Sequence, residues 1–75
     1  MIMLSRMNAR DEGIVHKIHA DGELKQRLFS LGLRKGSHIK VKATSMGKST
    51  IEIEIGTTLM ALRHSEAEHI EVEQV

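Results

Sequence analysis

The 75-residue chain has no cysteine, proline, tryptophan or tyrosine, and one phenylalanine, Phe29. Without cysteine it has neither a disulfide nor a thiolate metal site, the usual staples of very small domains, and a reducing, cytoplasmic setting is the expectation. Without aromatic rings it lacks the lining of grooves that take proline-rich peptides and the platforms on which single-stranded nucleic acid stacks its bases. Eleven Lys and Arg stand against ten Asp and Glu, a net charge of +1, so the molecule as a whole offers no field for nucleic acid or an anionic membrane. No apolar run nears the ~20 residues needed to cross a bilayer, and the start MIMLSRMNARDEG has neither the apolar stretch nor the small-residue cleavage site of a secretion signal. Neither export nor direct membrane insertion is expected.

The parts of catalytic sites are missing as well. The serines lie in cap and turn contexts, no G-x-S-x-G elbow occurs, and GLRKGS has the spacing of neither common phosphate-binding glycine loop. The five histidines, His16, His19, His38, His64 and His69, form no compact ligand pattern, and a zinc site needs three or four converging ligands. The chain is read as a non-enzyme with no catalytic, cofactor or metal residue assigned, the one metal alternative being an adventitious site that shares His64 or His69 with a second copy.

What is present is a series of short apolar patterns in a chain long enough for one core, so residues 1–75 read as one domain. The apolar residues Met1, Ile2, Met3, Leu4 and Met7 suggest a short docking segment and then a turn. In GIVHKIHA, Val15 and Ile18 sit three apart, which breaks a period of two and predicts a strand with a bulge or a strong bend. In DGELKQRLFSLGL, Asp21 can cap a helix over about 22–31 whose apolar stripe is Leu24, Leu28 and Leu31. Gly32 then stands where a helix ends in the left-handed conformation, pairing Leu28 with Leu33 in a Schellman motif.

Gly36 turns the chain into a strand with Ile39, Val41 and Ala43 on one face, and the polar TSMGKST and the alternating IEIEI come after it. A loop at Ser45 to Ser49 would set Lys42 opposite Glu52 and Lys40 opposite Glu54. Gly56 leads into TTLMALR, Ser65 and Glu68 have capping-box spacing for a single turn near 65–68, and HIEVEQV closes with Ile70 and Val72 inward. The pattern implies a mainly β fold: a small, partly closed barrel of about five strands with one inserted helix.

RLFSLGLRKGSHIKV, residues 27 to 41, resembles the R-L-x-x-(L/M)-G-(L/M)-x-x-G-x-x-(I/V)-x-V signature of the FeoA family, small cytosolic proteins of bacterial ferrous iron transport. Leu28, Leu31, Gly32, Leu33, Gly36 and Val41 carry the match. GIVHKI before it and IEIEIGTTLMALRHSEAEHIEVE after it keep the family's order, so the resemblance covers nearly the whole chain. It departs at Lys35, where the family often has proline, and at Ala9, where a glycine often precedes the first strand.

The resemblance implies an SH3-like barrel with a helix after the first strand, and a partner: the cytoplasmic, GTP-binding region of the FeoB ferrous iron permease. Of the basic cluster Arg27, Arg34, Lys35, Lys40 and Lys42, the first three flank Phe29 at the helix end. Arg27, Phe29, Arg34 and Lys35 are therefore the candidate contact residues, since large aromatics and arginine are the usual interface anchors. The competing readings are a free-standing relative of the SH3-like domain of iron-dependent repressors and a solvated basic face with no partner; a weak homo-oligomer is left open.

Overall fold

Residues with alternating apolar side chains build a six-stranded antiparallel sheet in the computed structural model, which describes all residues from 1 to 75. The strands are β1 (Ile2–Met3), β2 (Glu12–Ile18), β3 (His38–Thr44), β4 (Thr50–Ile55), β5 (Thr58–Arg63) and β6 (Ile70–Gln74). Helix α1 (Gly22–Ser30) lies between β2 and β3, and the single turn α2 (His64–Ala67) between β5 and β6. The spatial order is β1-β6-β2-β3-β4-β5. β1 is one strand more than the alternation announces; a two-residue strand has no period to read, and it exists because Ile2 and Met3 pair with Val72 and Glu71. Behind it Leu4 and Met7 are fully buried, which makes the N-terminal segment the expected docking piece.

The sheet curls without closing, because its outer strands β1 and β5 do not pair with each other. Inward residues of every strand from β2 to β6, among them Val15, Ile39, Ile53, Leu62 and Val72, join Leu28 and Leu33 in one buried cluster, so the sheet wraps a single core. Two bulges help it bend. One lies between Val15 and Lys17 in the β2–β6 pairing, inside the stretch where the alternation breaks. The other, between Val41 and Ala43, corrects the expected hairpin register. Lys40 does lie opposite Glu54, but Lys42 is an extra residue and Ala43, not Lys42, faces Glu52. One extra residue exchanges the two faces for the rest of the strand, so Ala43 is exposed instead of inward.

Both helix starts differ from expectation in detail. Asp21 holds the cap position of α1 with an extended backbone, yet its side chain accepts no capping hydrogen bond. At α2 the cap is made by Glu66, whose carboxylate accepts from the Arg63 N–H at 2.9 Å, and not by the Ser65–Glu68 pair. The turn begins at His64, directly after β5, so the capping position falls earlier than the serine.

Candidate functional site

The corner after α1 is built from backbone hydrogen bonds that its sequence demands. Gly32 has φ +92°, a conformation open to glycine and costly for residues with a β-carbon. That turn lets the Leu33 N–H reach the Leu28 carbonyl at 2.9 Å and the Gly32 N–H reach the Phe29 carbonyl at 3.0 Å, the two bonds of a Schellman motif. Leu28 and Leu33 are both fully buried beneath it. The chain is then tied to β2: the Gly36 N–H donates to the Val15 carbonyl at 2.8 Å, and the Val15 N–H to the Ser37 carbonyl at 2.9 Å. Ser37 Oγ donates to the Gly32 carbonyl at 3.2 Å and accepts from the Arg34 N–H at 3.1 Å. Leu28, Leu33 and Val41 are thus core, Leu31 is half-buried against it, and Gly32 and Gly36 shape the frame.

The frame holds Phe29 outward. Its side chain is 43% exposed, too much for a core residue, and the Lys25 ammonium sits 5.6 Å from its ring centroid, within cation–π range. Phe29 and Lys35 line a shallow depression with Lys17, Ile18 and Lys25. None of its lysines pairs with a carboxylate; the only ion pairs are His19–Glu71, Arg27–Glu66, His38–Glu12 and His64–Glu68. The depression measures about 170 Å³. That is below the roughly 300–1,000 Å³ of small-molecule sites, so it fits a protruding side chain better than a cofactor.

Of the four contact candidates, the structure brings Phe29 and Lys35 together and separates the other two. The Arg27 guanidinium pairs with Glu66, whose other oxygen caps α2, so Arg27 fastens the two helices to each other. Arg34 is exposed at the corner and does not line the depression. Sequence reasoning missed Lys17, Ile18 and Lys25. Lys25 was within reach, since a residue four before Phe29 shares its helix face. Lys17 and Ile18 arrive from β2 beyond its bulge, where local spacing carries no information.

The histidines are dispersed. His19, His38 and His64 each contact a different glutamate, and no three His, Asp or Glu side chains converge on one point.

Residues 2–74 match the family model of the FeoA domain. A Campylobacter jejuni protein named Fe(2+) transport protein A is 35% identical over 69 residues, covering 92% of this chain and 93% of its own. A crystal structure of an iron uptake regulatory protein, FeoA, superposes with TM-score 0.86 at 32% identity, covering 99% of this chain and 96% of that one. Stenotrophomonas maltophilia FeoA complexed with zinc, described as a prokaryotic SH3 domain protein, gives TM-score 0.83 at 28% identity over 97% of this chain and 91% of that one. A manganese-dependent transcriptional repressor shares the fold, with TM-score 0.90 at 24% identity over 99% of this chain and 41% of that one.

Proposed function

Because the chain belongs to the FeoA family, we propose that it serves ferrous iron uptake as a non-enzymatic accessory that docks on the cytoplasmic, GTP-binding region of an FeoB-type permease. The observation that carries this reading is a half-exposed Phe29 held by a rigid corner among lysines that form no ion pair. An aromatic ring on a pre-organised frame loses little entropy on binding and is a common anchor of protein interfaces, and the charges around it bear on the choice of partner. The reading makes the whole chain a single cytoplasmic domain and gives it no catalytic step. Phe29 and Lys35 contact the permease, Arg34 stands at the rim, and Arg27 supports the helix from behind.

Two variants and one partner test it. Leu28→Ala empties a fully buried site and is expected to cost about 2–5 kcal/mol of stability. Phe29→Ala is expected to cost about 1 kcal/mol or less in folding, yet to abolish capture of the permease's cytoplasmic domain in a pull-down run with GTP and with GDP. Equal loss of stability and capture in both variants sinks the proposal.

The likeness to the repressor favours a second reading, a free-standing module acting in metal-responsive regulation. That fold likeness carries no DNA-reading element here, since α1 is nine residues long, α2 is four, and they lie far apart in the chain. A repressor gene beside this gene, in place of a permease gene, would favour it.

A further inference from the structure

Resting on the docking proposed above, we infer that the depression formed by Lys17, Ile18, Lys25, Phe29 and Lys35 receives an extended acidic segment of the partner protein, with one apolar side chain seated against Phe29 and Ile18 and carboxylates on the three lysines. The charge there is local. The chain carries only +1 overall, and yet lysines from β2, from α1 and from the corner converge on one apolar spot, none of them paired with a carboxylate. The backbone beneath the patch is held in place: Phe29 by the Schellman turn, Lys35 by the Gly36–Val15 bond, Lys17 by its pairing opposite Glu71 on β6. Unpaired ammonium groups on fixed backbone around a half-exposed ring are complementary to acidic residues flanking an apolar one, and such complementarity governs encounter rate and choice of partner.

The shape argues against a lipid surface. An apolar group that enters a membrane must protrude, whereas Phe29 lies in a concavity. The volume argues against a free small anion with an organic body, since the space takes about one side chain.

The full-length 15N-labelled chain is titrated with a synthetic hexapeptide, acetyl-Glu-Glu-Leu-Glu-Glu-Phe-amide, with the same peptide carrying Lys for Glu, and with vesicles of phosphatidylserine and phosphatidylcholine. The acidic peptide is expected to shift the amides of Lys17, Ile18, Lys25, Phe29 and Lys35 as a set, and the shifts should shrink between 50 mM and 500 mM salt. The basic peptide should leave them in place. In parallel, K17A/K25A/K35A should bind the permease's cytoplasmic domain at least about tenfold more weakly, in line with three exposed charge pairs. K42A, outside the depression, should bind as the parent does.

Absent or scattered shifts with the acidic peptide overturn the inference, as does full permease binding by the triple variant. Vesicle binding that produces the same shifts, with none from the peptide, replaces the segment with a membrane. If the peptide binds as expected while the parent chain ignores the permease domain, the inference stands and the choice of FeoB as partner falls.

Discussion

A β-carbon built on Gly13 would clash with Val72 Cγ1 and lie 2.8 Å from the Glu73 carbonyl oxygen. The position is crowded because Gly13 sits in the middle of the sheet, opposite Ile39 on β3 and Gln74 on β6. Gly32 presents the reverse case: a β-carbon there meets nothing within 4 Å, and only its φ of +92° resists substitution. Gly32→Ala should therefore cost about 1–2 kcal/mol, the penalty of a left-handed alanine. Gly13→Ala meets backbone that cannot rotate away and should cost more, at the upper end of the roughly 1–3 kcal/mol of overpacked sites. Urea unfolding of both variants checks the ranking, and hydrogen exchange separates the causes: only Gly13→Ala should loosen the β2–β6 amides. The need for Gly32 is visible in the sequence as a helix stop. That of Gly13 is invisible there, because it depends on a strand at the opposite end of the chain.

Among the elements, α1 and α2 are held together by Glu66, which pairs with Arg27 and accepts the Arg63 N–H. The Arg27 side chain is half exposed, so the ion pair alone is worth about 0.2–1 kcal/mol, and Arg27→Ala should lower stability by no more than that. Glu66→Ala also frees the Arg63 N–H at the start of α2 and should cost about 1 kcal/mol beyond the Arg27 variant. Thermal unfolding of the two single variants and the double variant tells the contributions apart. The hairpin supplies a second test. Lys40 and Glu54 are directly opposite, so a double-mutant cycle should find a coupling of about 0.2–1 kcal/mol, whereas Lys42 and Glu52 should show about none. The Lys42 bulge defeated the local pattern because alternation reads the same whether or not one residue is looped out.

Across the whole molecule, one cluster of 14 buried residues draws on the 3-10 turn, both helices and five of the six strands. With no second cluster to unfold separately, the chain should behave as a single cooperative unit. Far-UV circular dichroism and the upfield methyl resonances of the core should melt at the same temperature; two separate transitions would mean that the helix corner and the sheet are distinct units. β1 and β5 are the two unpaired edges of the sheet, and β1 is only two residues long.

Legible in the linear chain are the strand alternation, the leucine stripe, the glycine that ends α1 and the break in β2, each encoded by residues close together in sequence, and the family signature, whose order runs along nearly the whole chain. The outward placement of Phe29 is legible too, since an aromatic residue off the apolar stripe beside charges is a local anomaly. The second bulge, the two-residue strand β1, the use of Arg27 as a fastening between helices and the arrival of Lys17 and Ile18 beside Phe29 emerge only when the chain is folded. Each of those depends on how distant strands stack and where their registers slip, and a linear pattern of side chains carries the period of a strand without its partner.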